Sequence, residues 1–194
     1  MPVKETERGT FIFNSKDLCM IEHIPNLIEA GIDSFKIEGR VKNELYVATV
    51  IGAYRRAIDS YFENPTEYKT DTALLDELSK VSHRGYTTGF YFGKPGADAH
   101  NFESSEYVRD YTIVGVVKDY DEKTGIARIE QRNRFFEGDD LEILVPGGEW
   151  FSQKAEDMTD ENGNNITVAP NAQMTVYMKT DKPLKEFGIL RKKV

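Results

Sequence analysis

Two strand–helix alternations fill the first 65 residues of this 194-residue chain, and no further alternation follows them. Phe11-Ile12-Phe13 is a short β-prone run stopped by Asn14-Ser15. Leu18, Ile21, Leu27 and Ile28 then recur at near-helical spacing, with Pro25 suited to a first helical turn and Gly31 to a left-handed stop. Asp33 to Arg40 alternates Phe35 and Ile37 with Lys36 and Glu38, the period of a strand. From Glu44 to Phe62 the residues Val47, Ile51, Tyr54, Ile58 and Tyr61 form one helical stripe, opened by Asn43 as N-cap and closed by Asn64-Pro65. The order strand, helix, strand, helix is that of a parallel α/β fold. Two strands alone cannot make a covered parallel sheet, so this region reads as a piece of something larger.

The pattern changes after residue 65. A short helix is expected over residues 71–81, followed by the aromatic and glycine-rich stretch HRGYTTGFYFG, residues 83–93. Residues 94–106 are polar and carry Pro95 and Gly96, which suits a linker. Short strands are expected at 112–118, 126–131, 141–145, 149–156, 166–168, 174–178 and 187–190, with the close spacing of a small β-barrel. The fold class is therefore α/β plus all-β. Its expected domains are 1–65 (α/β), 66–105 (helix and aromatic linker) and 106–194 (β-barrel).

Charge and cysteine content limit the chemistry. The net charge is −8 with a pI near 5.0, against broad sequence-independent nucleic-acid binding, although a local basic site fits. Residues 1–60 hold 8 basic and 9 acidic side chains, whereas the remainder holds 17 and 24, so the acidity belongs to the second part. Hydrophobic residues make up 39% of the chain, enough for a core despite a mean hydropathy of −0.53. One cysteine excludes an internal disulfide, a multi-cysteine zinc site and an iron–sulfur cluster ligated by this chain alone. No apolar run is long enough to span a bilayer and the N-terminus lacks a signal-peptide core, so a cytoplasmic protein without membrane partners is expected.

Lys36-Ile37-Glu38-Gly39-Arg40 is the sharpest local signal. In a parallel barrel, catalytic groups sit at the C-terminal ends of strands. If Phe35 and Ile37 face helices, Lys36 and Glu38 face the lumen, where unpaired charges cost several kcal/mol and must pair or bind ligand. Arg40 and Lys42 then lie past the strand end, where an anionic group can be held. An ordinary Lys-Glu pair on an exposed strand is the alternative. Asn14 and Lys16 occupy the equivalent place after the first strand, while Ser15 and Asp17 read better as helix caps. His23 reads as a surface or packing residue and Cys19 as a small buried hydrophobe. His83 and Arg84, interleaved with aromatic rings, suit single-stranded nucleic acid or a buried ribbon between domains. No nucleophile–base spacing or HExxH metal motif specifies a self-contained protease.

Residues 8–59, with NSKDL and AGIDSFKIEGR, together with VSHRGYTTGFYFG at 81–93, closely resemble the collagenase-like peptidase family of unassigned catalytic type, family U32. The motif positions are Asn14, Ser15, Lys16 and Asp17; Lys36, Glu38, Gly39 and Arg40; and His83, Arg84, Thr87 and Thr88. The resemblance implies that residues 1–65 are the last strand–helix units of a TIM-like barrel, and that the C-terminal β-barrel is similar to the second domain of elongation factor Tu. It implies a peptidase by name and, in the nearest branch, tRNA hydroxylation proteins that use prephenate to install wobble 5-hydroxyuridine. Their iron–sulfur cluster is held by cysteines upstream of NSKDL, so a cluster is expected only in a full-length protein, and this chain alone is expected to be inactive. Lys36, Glu38 and Arg40 are the catalytic candidates, with Asn14, Lys16, Lys42, His83 and Arg84 for substrate or RNA. The partners implied are tRNA or a peptide and the preceding barrel part or a partner subunit. An exposed barrel edge would add homo-oligomers. A noncatalytic RNA- or partner-binding module is the alternative of another class.

Overall fold

The computed structural model describes residues 3–6, 9–12, 14–101 and 107–194. Phe13, the end of the first expected strand, and residues 102–106 of the expected linker lie outside the described residues. Contacts divide the chain into two compact units, Met1–Lys42 with Ala53–Arg109, and Asn43–Gly52 with Asp110–Val194. The molecule is thus a mixed helix and sheet protein. No helix among the described residues is long and apolar enough to cross a membrane.

The first unit opens with β1 (Val3–Thr6) and β2 (Gly9–Ile12), which pair antiparallel. β3 (Asn14–Ser15) and β4 (Asp17–Leu18) follow, then a 3₁₀ turn at Ile21–His23 and α1 (Ile24–Glu29). Pro25 sits in the first turn of α1, where its missing N–H has no intrahelical partner to lose, and Gly31 ends the segment at φ +79°.

α2 runs over Glu44–Glu63, with Asn43 Oδ1 accepting from Tyr46 N at 3.0 Å as the N-cap. Its buried line is Leu45, Thr49, Ala53 and Ala57, whereas Ile51 of the expected stripe is half exposed. Leu45 fills this line at its start, and the small Thr49, Ala53 and Ala57 continue it, so Val47, Tyr54 and Ile58 of the expected stripe lie beside the line, partly buried. α3 (Thr72–Ser79) is capped by Asp71, which accepts from Ala73 N, and it packs on the Ile21–His23 turn. β5 (Tyr86–Thr87), a 3₁₀ turn at Ala97–Ala99 and β6 (His100–Asn101) complete the unit.

The strand expected at 33–40 does not form: residues 32–39 have no regular secondary structure. Its alternation survives, with Phe35 and Ile37 half-buried and Lys36, Glu38 and Arg40 exposed. A strand needs a neighbour for its N–H and C=O groups, and none lies beside this segment among the described residues. Among the described residues parallel pairing is confined to β4 with β5, whereas β3 pairs antiparallel with β6. Residues read as linker therefore return to the NSKDL segment.

The second unit contains β7 (Tyr111–Asp121), β8 (Ile126–Gln131), β9 (Phe135–Phe136), β10 (Asp140–Leu144), β11 (Phe151–Lys154), β12 (Val168–Ala169), β13 (Thr175–Lys179) and β14 (Ile189–Lys193). Six strands form one antiparallel sheet in the order β11-β10-β14-β7-β8-β13, and β9 pairs with β12. Register shifts in β7 and β14 add twist, and the sheet curls into a half-barrel around Val114, Ile129, Phe135, Leu141, Met178 and Leu190. Gln153 of β11 ties the two edges, donating to Lys179 O at 3.1 Å and accepting from Asp181 N at 3.0 Å. The buried Arg191 guanidinium binds Glu142, through Nε at 2.9 Å, and Thr49 on the first half of α2. The last expected strand starts later, at Ile189, because Phe187 is in the left-handed region at φ +67°.

Candidate functional site

The two recognisable segments of the first unit meet directly. Asp17 N donates to Gly85 O and Cys19 N to Thr87 O, each at 2.9 Å, which lays NSKDL alongside HRGYTTGF. On the other side Lys16 N donates to Ala99 O at 2.9 Å. The Asp17 carboxylate accepts from Arg84 three times, from N at 3.1 Å, Nε at 3.2 Å and Nη2 at 2.9 Å. Those bonds to Asp17 hold the guanidinium above its ordinary pKa and keep it charged. Asp17 and Ser15 are therefore strand residues and not the helix caps expected of them; the pull of a facing guanidinium and a strand partner displaces local capping.

Glycine is required at two turns. Gly85 stands at φ +79°, and a Cβ there would meet the Lys16 stem at 3.4 Å; Gly89 stands at φ +58°, where a Cβ would meet Leu18 Cδ1 at 3.3 Å. These bare positions admit the two side chains of β3–β4 to a cleft of about 600 Å³. Leu18, Phe90, Tyr91 and Pro95 supply its apolar walls, and Ser15, Lys16, Thr87 and His100 its polar groups. Ser15 and His100 are opposed in the β3–β6 register, which places them on one face.

A second cluster gathers around Tyr107. Lys42 Nζ lies 3.9 Å from the ring centroid and donates to Ser82 O at 3.3 Å, while Arg84 Cζ lies 5.2 Å from the same ring. His83 stacks on Tyr86 at 4.8 Å, its Nδ1 accepting from Gly85 N at 2.9 Å. Asn14 pairs with Asn101 in β3–β6. Of the sequence candidates, Lys16 lines the cleft, Lys42 and Arg84 share Tyr107, and His83 supports the turn between them. Lys36, Glu38 and Arg40 are exposed on residues 32–42, outside the cleft lining, with Glu38 Oε1 accepting from Arg40 N at 2.8 Å. Sequence reasoning missed Phe90, Tyr91, His100 and Tyr107. The aromatic run itself was a signal for the first two; nothing in a polar stretch announces the two-residue β6.

His23 packs its ring 4.5 Å from Phe92. Cys19 is half-buried, accepts from Tyr54 Oη at 3.8 Å, and has its thiol pKa pushed up by burial. Among the described residues no group of three or more His, Cys, Asp or Glu side chains is placed to hold a metal ion. A cluster needs several thiolates, so one thiol held in its protonated form does not fit an iron–sulfur group.

Comparison with known proteins is consistent across both units. Residues 2–101 match the model of peptidase family U32, and residues 109–191 that of the peptidase family U32 C-terminal domain. The chain is 39% identical over 186 residues to tRNA hydroxylation protein P1 of Bacillus subtilis, covering 96% of this chain and 44% of that protein. It is 36% identical over 186 residues to tRNA hydroxylation protein P of Escherichia coli, covering 95% and 40%. A collagenase of Porphyromonas gingivalis is 31% identical over 153 residues, 78% of this chain and 42% of that one. The chain spans less than half the length of these relatives. A crystallised C-terminal domain of a Geobacillus thermoleovorans U32-family protein aligns at 38% identity and a TM-score of 0.41, covering 42% of this chain and 99% of that one.

Proposed function

The chain belongs to peptidase family U32, and from that premise we propose that it forms the C-terminal part of a protein that hydroxylates tRNA, using prephenate to install 5-hydroxyuridine at the wobble position. The observation that carries this reading is the 39% identity to a tRNA hydroxylation protein across 96% of the chain. In this reading residues 1–65 complete a TIM-like barrel with further chain, residues 66–105 supply the ribbon around the cleft, and residues 106–194 close as a β-barrel similar to the second domain of elongation factor Tu. Lys36, Glu38 and Arg40 then become lumen groups once neighbouring strands align residues 33–40. Lys16, Lys42, His83 and Arg84 contact RNA, with Asn14 on the adjoining strand. Any iron–sulfur cluster belongs to chain outside these residues.

Nucleoside mass spectrometry of tRNA from a strain deleted for the full gene tests the reading. Hydroxyuridine should vanish and return with the full gene, but not with this chain alone or with the full gene carrying Glu38→Ala. Unchanged hydroxyuridine in the deletion strain would refute it.

One observation favours a second reading, peptide hydrolysis. Ser15 and His100 are register partners across β3–β6 and both line the cleft, which brings a hydroxyl and an imidazole to one face. Loss of casein cleavage on Ser15→Ala in the full-length protein is the result that reading predicts.

A further inference from the structure

The cleft between β3–β4 and the Thr87–Tyr91 turn has features that tRNA hydroxylation, as a reaction, does not require of any one surface. Phe90 is 78% exposed and Tyr91 56%, side by side at its wall. The turn that carries them is held from within: Tyr91 N donates to Thr88 O and Gly93 N to Phe90 O, each at 3.3 Å, while the Phe92 ring, itself 61% exposed, lies 4.5 Å from that of His23. Two aromatic faces are thus kept in solvent by an anchored loop. Beside them Lys16 is half-buried, and its ammonium has no ionic or hydrogen-bond partner among the described residues. Arg84, the cation of the HRGYTTGF segment, is already committed to Asp17 and occupies that carboxylate. A half-buried cation without a counterion, next to exposed rings in a concave site, is complementary to an anion attached to a flat apolar body.

We infer that this cleft takes one unstacked nucleotide of single-stranded RNA, its base against Phe90 or Tyr91 and its phosphate on Lys16. The inference rests on the tRNA-hydroxylation reading for the identity of the strand. A volume of about 600 Å³ is on the scale of a single nucleotide. Lys16, the one Lys or Arg lining the cleft among the described residues, matches one phosphate, in keeping with a net charge of −8 that argues against RNA binding through general basicity. Stacking accounts for rings left exposed, because a base offers a face to an aromatic side chain whatever its sequence.

The test is binding of a fluorescein-labelled single-stranded uridine-rich RNA 12-mer to the full-length protein by anisotropy, across a salt series. Phe90→Ala and Tyr91→Ala together should weaken binding about tenfold or more, within the range seen for loss of one base–aromatic stack. Lys16→Gln should lower the slope of log affinity against log salt by about 0.7, one phosphate contact. Phe187→Ala, an equally exposed ring (64%) in the second unit, should change nothing. Affinity within twofold of wild type for the double variant, or an equal loss with Phe187→Ala, overturns the inference. The two readings fail separately. Variants that bind RNA normally, with hydroxyuridine absent from the deletion strain, sink the cleft assignment alone. Weakened variants with hydroxyuridine retained in that strain sink hydroxylation alone.

Discussion

Replacing Asp17 with Asn should loosen the junction that makes the candidate site, and the structure sets the size of the effect. The carboxylate accepts three hydrogen bonds from Arg84, one from the backbone and two from the guanidinium. Hydrogen bonds to charged groups contribute about 1.5–3 kcal/mol when well shielded. Both side chains here are 24% exposed, which pulls the value toward the ~0.2–1 kcal/mol of exposed pairs. Asn retains an acceptor for Arg84 N, so the coupling tested is that of the guanidinium, about 1 kcal/mol. A double-mutant cycle of Asp17→Asn and Arg84→Gln, read by urea denaturation, isolates it, and the coupling should shrink as salt is raised. A coupling below about 0.3 kcal/mol would refute the claim that this pair joins NSKDL to HRGYTTGF energetically.

Three further outcomes are expected. Gly115→Ala should destabilise the second unit by about 1–3 kcal/mol in urea, because a Cβ there would lie 2.5 Å from Ile129 Cγ2; an unchanged midpoint would contradict the packing. Burial works to raise the Asp139 carboxyl, but the Lys192 ammonium at 2.6 Å and Phe136 N at 2.9 Å outweigh it and hold its pKa low. Its stabilising contribution is therefore complete above the ordinary carboxylate range and lost as pH falls through the lowered value, so Asp139→Asn should flatten the loss of stability below about pH 4. Cys19, with its thiol pushed up by burial, should react with dithionitrobenzoate at pH 8 at least about tenfold more slowly in the folded protein than in urea; equal rates would contradict its placement.

How much of this was legible in the sequence depends on the length over which each signal repeats. α2 was readable because its apolar period runs for about four turns and Asn43 and Asn64-Pro65 bracket it. The strands of the second unit were readable because β-prone runs stand between turn clusters, and among the described strands the two-residue β9 escaped. The alternation at 33–40 was also real, yet alternation specifies which side chains share a face and not whether a neighbouring strand is present. The candidate site lay further from view. NSKDL and HRGYTTGF were each visible as motifs, but their junction depends on Asp17 meeting Arg84, 67 residues apart, and on pairings of two residues that carry no period. Gly85 and Gly89 looked like loop residues; their role in admitting Lys16 and Leu18 to the cleft appears only when the two segments are side by side.

The measurement that bears most directly on the central claim is the hydroxyuridine content of tRNA in a strain whose only copy of the gene carries Phe90→Ala and Tyr91→Ala, with protein abundance checked by immunoblot. Both rings are exposed, so the protein should accumulate normally. Wobble hydroxyuridine should fall well below wild type, while Phe187→Ala leaves it unchanged. Wild-type levels of hydroxyuridine in the double variant would contradict the account.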